Sequence, residues 1–470
     1  MDYKYKAFCI IDDSGSSIDL ARALSKEVEK VYYYREWKQS GFPGRNANKI
    51  ATNIPGVIKV ENIESLIDNE VIDCYIFTDV YRGSQQEHLL RLGKRVFGSR
   101  RAEVLELYRH KANEVFKQVG LPVIPTTKKV GVTDLIAYSK ENKDIYLKIN
   151  KTRGLVETQY IPDYDLAEFW FDDLIKDLGS DKDTFEFFLQ DKLPSGMSEV
   201  GLDPMITDGR IPEIIMGGVE AKDSSYICVV KPYIEFPDCM REVTDKLMPV
   251  FAQYDYRGNF SYEAKVGKEH KPFVLDLTQR IPQPPGSLQW FMYRKNLATL
   301  FYSIASGIPL SPEIYKPFGV EIILKSEMAK KEELPIRVPK EIRDHVFLTN
   351  YKMREGKEDM YYILPQPEVE IEEVGSVTGE GDTLKEAFEQ ALAICEKIEC
   401  MDIRWKLESY SQIQCELDKL DELELNFFTL KVSEVKIEKK LPEAVPEVIL
   451  PKRSVRPVSG FLKKINETGK

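Results

Sequence analysis

The sequence predicts an α/β chain, with an N-terminal domain built on a parallel sheet and mixed α+β lobes after it. Three observations predict it. Apolar runs alternate with helical periodicity through the first hundred residues, paired strand-like stretches follow from about residue 184, and a capped helix sits near the C-terminal end.

Length and composition set the bounds. At 470 residues the chain exceeds one ordinary core, so two to four domains of roughly 100–200 residues are expected. Hydrophobic content of 43% with 30% charged residues is that of a soluble globular protein, and a formal net charge of -11 argues against nucleic acid as a partner. No apolar run approaches the roughly 18 residues that span a bilayer. The opening MDYKYKAFCIIDDSG lacks the long apolar core and cleavage site of a secretory signal, so a cytoplasmic protein without a membrane partner is expected. Seven cysteines (Cys9, Cys74, Cys228, Cys239, Cys395, Cys400, Cys415) form no CxxC pair and read as reduced thiols. Four scattered histidines (His88, His110, His270, His345) argue against a histidine-built metal site or a Ser/His/Asp engine. Carboxylates, lysines and arginines are left to carry the chemistry.

The elements follow in order. KAFCIID (6–12) is a buried strand run, DSGSS a turn, IDLARALSKEVEK (18–30) a helix, and VYYY and DCYIFTD (73–79) further strands. The Ser14-Gly15-Ser16 turn could hold a phosphate at a helix start. It lacks the three-glycine spacing of a dinucleotide fingerprint, and a plain tight turn is the simpler reading. A helix near 83–93, a short strand RVFGS and a helix over 101–119, stopped by Gly120 with Pro122 beyond it, come next. In the last helix Val104, Leu105, Tyr108, Ala112, Val115, Phe116 and Val119 form the apolar stripe. Lys111 falls at its edge, where a lysine stem ordinarily snorkels over core surface.

DIYLKIN (144–150) embeds Lys148 in an apolar strand, a costly burial unless the ammonium meets an anion such as phosphate. NKTRGLVET then brings Lys151, Arg153 and Gly154 together with the Thr152 and Thr158 hydroxyls, a composition suited to a turn closing over phosphates. TFEFFLQDKLPSGMSEVGL runs from a strand (184–190) through a Pro-Ser-Gly turn into a second strand.

GNFSYEAKV (258–266) and KPFVLDLTQR, joined through GKEH, read as adjacent antiparallel strands. On them Glu263 and Asp276 could face each other across a hairpin. Two facing carboxylates repel unless a cation lies between them, and Mg²⁺ takes one or two carboxylates plus substrate phosphates. Two-residue spacing puts Thr278 and Arg280 on the face of Asp276, adding a neutral oxygen and a fixed positive fork. The alternative is a half-exposed strand with ordinary polar residues.

The order of these parts resembles the ATP-grasp superfamily, and within it most closely glycinamide ribonucleotide synthetase (phosphoribosylamine-glycine ligase). The stretch 83–125 looks like that family's approach to its ATP-binding lobes. GSVTGEGDTLKEAFEQALAICEKIECMDIRW (375–405) is similar to its C-terminal lobe, with Thr383 and Glu386 forming a capping box. The resemblance implies a Rossmann-like domain at 1–120, a two-lobed ATP-grasp domain at 121–320 with a hinge near 190–193, and an α+β lobe at 321–433.

It implies ATP and Mg²⁺ as cofactors. Lys111 and Lys148 would hold the α- and β-phosphates, and the turn with Lys151, Arg153 and Gly154 would close over them. The backbone from Gln190 through Asp191 to Leu193 would meet adenine, and Glu199 the ribose. Glu263, Asp276 and Thr278 would bind Mg²⁺, and Arg280 would face the transferred phosphoryl and the substrate carboxylate. The implied activity is an ADP-forming ligase that phosphorylates a small-molecule carboxylate and joins it to an amine, without need of histidine. The superfamily usually has Glu and Asn where this chain has Asp276 and Thr278, and its glycine-rich N-terminal loop is not matched by DDSGSS. The family's substrates therefore do not transfer. The alternative is a catalytically degenerate ATP-grasp-like protein that keeps the pocket for nucleotide binding or assembly.

RIPQPPGSLQW (280–290) follows as a Pro-rich turn suited to lining an acceptor pocket or to a rigid connection. YRKNLATLFYSIASGIPL is a helix, and ELDKLDELELNFF a charged stretch of the C-terminal lobe. From 434 to 470 the composition turns to Lys, Glu, Pro and Val, an extended tail with a basic end. The sequence leaves the oligomeric state open and is compatible with a homo-oligomer.

Overall fold

Strands rich in Val, Ile and Tyr bury both faces only where something covers both sides of the sheet. In the computed structural model, which describes residues 4–36, 48–69, 71–149, 158–222, 224–365, 372–406 and 409–430, five such runs near the N-terminus form one sheet. Tyr5–Ile11 is central, flanked by Val28–Tyr34 and Val57–Val60 on one side and by Cys74–Phe77 and Val96–Phe97 on the other. Every pairing is parallel. Cys9 and Ile10, on opposite faces, are both fully buried.

Two helices differ from expectation. The one expected over 18–30 ends at Leu24, and the chain turns back so that Val28–Tyr34 pairs with the first strand. The one expected over 101–119 is divided: Val104–Leu107 stops at Tyr108 (φ −128°, ψ 86°), and Arg109–Gln118 starts anew. The DSGSS turn is filled from within. Asp12 accepts hydrogen bonds from the amides of Ser14 (3.1 Å), Gly15 (2.9 Å) and Ser17 (2.7 Å) and from the Tyr33 hydroxyl (2.8 Å). The donors a phosphate would use are thus engaged by the protein's own carboxylate.

A second, antiparallel sheet has the order Thr126–Val130, Glu186–Asp191, Ile145–Ile149, Thr158–Ile161. Helices Val132–Glu141 and Tyr164–Leu178 pack on it, with Leu135, Phe171 and Leu174 against Leu147, Phe187 and Leu189.

The third sheet has eight antiparallel strands in the order Pro272–Thr278, Ser261–Val266, Ser198–Leu202, Ile214–Ala221, Ser225–Pro232, Phe318–Lys325, Glu373–Gly381, Val346–Leu348. Strands from the stretch expected as a separate C-terminal lobe therefore extend the sheet that carries Glu263 and Asp276. Helix Leu384–Cys395 packs on it, and the Thr383 hydroxyl accepts from the Glu386 amide at 3.2 Å. YRKNLATLFYSIASGIPL contains helix Leu297–Ala305, and ELDKLDELELNFF opens within helix Ser409–Glu422.

One buried ion pair ties distant segments together. Asp19 accepts from Arg22 Nε (2.9 Å), Arg343 Nη2 (2.7 Å), the Leu348 amide (2.8 Å) and the Tyr351 hydroxyl (3.0 Å). Among the described residues no helix is long and apolar enough to cross a membrane. Cys9, Cys74, Cys228, Cys239 and Cys395 are buried free thiols, whereas Cys415 is exposed. The tail expected from 434 lies outside the described residues.

Candidate functional site

A cleft lies between the second and third sheets. From one side strand Ile145–Ile149 carries Lys148, which is 5% exposed. From the other, Glu263 and Asp276 stand directly opposite each other on neighbouring antiparallel strands, and Ser261 opposes Thr278. Two-residue alternation puts all four on one face. Ala264 pairs with Val274, so Leu275 is an extra residue in the ladder beside Asp276. Bulges of this kind re-aim the adjoining side chain.

Lys148 Nζ donates to Asp276 Oδ2 at 2.9 Å and to the Leu275 carbonyl at 3.2 Å. The Arg109 guanidinium pairs with Asp276 Oδ1. Arg109 was not expected at the site; Lys111 was. The break at Tyr108 resets the helix, and Lys111 Nζ instead pairs with Glu114 at 3.1 Å, away from the residues that line the cleft. A signal for Arg109 was present. Arg109, Ala112, Asn113 and Phe116 follow i, i+3, i+4, i+7 spacing and all line the cleft.

Arg280 stands just past strand Pro272–Thr278. Its Nε donates to Glu106 at 2.8 Å, and the same carboxylate accepts from the Gln279 amide at 2.7 Å. Glu106 therefore fixes the direction of Arg280, a role the sequence did not single out.

Glu199, on strand Ser198–Leu202, opposes Lys265 and lies two residues from Gly201, the partner of Glu263. Lys222, at the end of strand Ile214–Ala221, gathers three carboxylates: its Nζ is 3.0 Å from Glu220, 3.1 Å from Glu199 and 3.9 Å from Glu263. Burial lowers the Lys222 ammonium, but Glu263, Glu220 and Glu199 outweigh it and hold the group above its ordinary value. Burial raises Glu263, and Glu199 and Glu220 add to this against Lys222. Glu199 goes the other way, since Lys222 and Lys265 overcome its burial. A Cβ on Gly218 would run into the Tyr226 ring, so this glycine keeps the floor of the cleft open.

Gln190 is buried and lines the cleft, whereas Asp191 and Leu193 do not. The Asp191 amide donates to the Pro125 carbonyl at 3.3 Å and the Lys192 amide to the Asp144 carbonyl at 3.2 Å, so part of the expected hinge backbone is engaged by the residues that lead into the neighbouring strands. Lys151, Arg153 and Gly154 lie outside the described residues. Among the described residues no group of three or more Asp, Glu, His or Cys side chains is placed to hold a metal ion by itself.

An antiparallel four-stranded sheet with a buried lysine, facing a carboxylate-bearing antiparallel sheet behind a parallel-sheet N-terminal unit, is the ATP-grasp fold. Among solved structures, the chain is similar to phosphoribosylamine-glycine ligase from Thermotoga maritima, with 14% identity, a TM-score of 0.64, and 85% of this chain and 98% of that one covered. It is also similar to the biotin carboxylase domain of Hydrogenobacter thermophilus 2-oxoglutarate carboxylase, solved with MgADP and bicarbonate (10% identity, TM-score 0.59, coverage 91% and 99%). A third is N5-carboxyaminoimidazole synthetase from Staphylococcus aureus with ADP (14% identity, TM-score 0.52, coverage 84% and 98%). No family model matches the sequence, and no curated protein matches it.

Proposed function

We propose that the chain is an ATP-dependent, ADP-forming ligase that activates a small-molecule carboxylate by phosphorylation and joins it to an amine. The observation that carries this reading is the Glu263–Asp276 pair facing Lys148 from the opposed sheet, with Arg280 and Arg109 in the same cleft. The names of the similar structures support it at the level of reaction class: a ligase, a carboxylase domain holding MgADP and a synthetase holding ADP.

In this reading Lys148 and Arg109 neutralise phosphate oxygens, and Arg280, held by Glu106, orients the anionic substrate. Gln190 meets the base and Glu199 the ribose. Glu263, Asp276 and Thr278 offer hard oxygen donors on one face, which fits Mg²⁺, and their small number suits an ion that takes its remaining ligands from phosphates. Bound there, Mg²⁺ would neutralise developing charge on the transferred phosphoryl. Lys151, Arg153 and Gly154, which lie outside the described residues, keep the phosphate-binding role that the resemblance implies. Lys111 drops from the set in favour of Arg109. The proposal keeps the domain boundary at 120 and a soluble setting, and it joins the stretch from 321 to the domain before it, since a division at 320 would cut strand Phe318–Lys325.

A second reading, a nucleotide-binding protein without turnover, is favoured by one observation. Both Asp276 oxygens are already occupied by Arg109 and Lys148, and Lys222 stands 3.9 Å from Glu263. Release of ADP separates the two. With candidate carboxylates and amines supplied, the wild-type chain should release ADP, and Lys148→Ala and Glu263→Ala should abolish it. Turnover that survives both changes would overturn the site assignment, and nucleotide binding without turnover on any substrate pair would favour the second reading.

A further inference from the structure

Next to the cleft is a second, smaller cavity, and Gln283 and Pro284 line both. The two spaces differ in charge. The cleft mixes Arg109, Lys222 and Arg280 with the carboxylates Glu106, Glu199, Asp203, Glu220, Glu263 and Asp276, whereas no lysine or arginine lines the smaller cavity among the described residues. Its polar lining is two carboxylates, Glu321 and Glu373, the Gln283 amide, and the hydroxyls of Ser16, Ser287, Thr349 and Ser376.

Glu321 sits deepest, 1% exposed, on strand Phe318–Lys325. Its Oε1 accepts from the Ser376 hydroxyl at 2.6 Å, the Leu288 amide and the Ser287 hydroxyl also face the carboxyl, and Oε2 makes no well-aligned hydrogen bond among the described residues. A buried carboxylate oxygen without a donor is costly unless a ligand supplies one. An anion would be repelled by two carboxyls, and a neutral apolar group would leave Oε2 unpaired. A cavity of about 30 Å³ has room for roughly two water-sized groups, which suits an ammonium on a short stem and excludes a ring.

We propose that this cavity seats the amine substrate, a small primary ammonium group held by Glu321 Oε2, beside the cleft where the carboxylate is activated. This rests on the ligase reading above. Burial pushes the Glu321 carboxyl up to about 7, further than the hydrogen bonds from Ser376, Leu288 and Ser287 pull it down, and a neighbouring cation favours its charged form. Ile323 and Phe347 supply the apolar wall for the stem.

Saturation-transfer NMR on the full chain, with methylammonium chloride as probe, without nucleotide and at pH ~8, tests the site. The wild type should bind the probe, and Glu321→Gln, which keeps shape but not charge, should weaken binding about tenfold or more. Should Glu321→Gln fail to fold, Ser16→Lys, at the half-exposed mouth, places a tethered ammonium in the cavity and should abolish binding. Acetate should not compete. Unchanged binding in a folded variant, or no wild-type binding at tens of millimolar probe, would overturn the inference. Failure here with intact nucleotide binding and ADP release sinks only the amine site. Methylammonium binding without nucleotide binding sinks only the ligase reading.

Discussion

Lys148 Nζ lies 2.9 Å from Asp276 Oδ2, so the two sheets that face each other across the cleft are joined by a charged hydrogen bond at its floor. Each charge offsets the desolvation of the other, and in the proposed reading a phosphate chain would take the ammonium from the carboxylate. Lys148→Met keeps the apolar stem and removes the charge. Asp276 retains Arg109, so stability should fall by only about 1–2 kcal/mol, while affinity for a non-hydrolysable ATP analogue should fall about tenfold or more. Calorimetric titration and a thermal melt read both, and undiminished nucleotide affinity would remove Lys148 from the site.

Lys222 is a cation already present among Glu199, Glu220 and Glu263. It is 63% exposed, so its loss should cost little stability, under about 1 kcal/mol. Its effect should appear in metal dependence. Without the competing ammonium, Lys222→Ala should reach half-maximal nucleotide binding at about threefold to tenfold lower Mg²⁺ concentration. A Mg²⁺ midpoint equal to the wild type's would show that Lys222 does not compete for the carboxylates.

Asp203 is 1% exposed and accepts hydrogen bonds from Ser261 (2.6 Å) and Tyr226 (2.8 Å). Burial pushes its carboxyl up to about 6, further than those bonds pull it down. The folded value lies above the unfolded one, so the unfolded chain loses this proton first as pH rises. The contribution to stability is full below about pH 4 and is lost by about pH 6, a change of roughly 3 kcal/mol. Urea unfolding of wild type and Asp203→Asn at several pH values should show their stability difference moving by that amount across the window. A difference constant with pH would contradict the burial argument.

Asp19 is fully buried and binds two arginines, an amide and a hydroxyl. Asp19→Ala leaves Arg343, only 5% exposed, without its carboxylate, and should cost about 3–5 kcal/mol. Denaturant unfolding measures it. A cost below about 1 kcal/mol would mean that the surrounding carbonyls suffice for Arg343.

Much of this was legible in the sequence, and the gaps have physical causes. Apolar runs separated by helical periodicity announced the parallel sheet, because strands covered on both faces must be apolar throughout. Two-residue spacing announced that Asp276 and Thr278 share a face, and the short turn that their strand pairs with the one carrying Glu263, since alternation and a turn are local facts. The bulge at Leu275 was hidden, because an extra residue in a ladder is a property of two strands together. The break at Tyr108, where one residue leaves the helical region, was hidden, although the spacing of Arg109 with Ala112, Asn113 and Phe116 was legible. Lys222 was invisible: a lone lysine near a hairpin end gives no hint of the glutamates that converge on it from two other strands. The joining of Phe318–Lys325 and Glu373–Gly381 to the Glu263 sheet is a long-range pairing with no local signature.

That joining also bears on how the chain is made. Strand Phe318–Lys325 is paired on one side with Ser225–Pro232 and on the other with Glu373–Gly381. During synthesis its second edge stays bare until residue 381 has left the ribosome, well after every residue proposed to touch nucleotide has emerged. A nascent chain halted in the 330s would carry every side chain proposed to touch nucleotide on a sheet with an unprotected apolar margin. Such a product is prone to pair with its own copies before it can work.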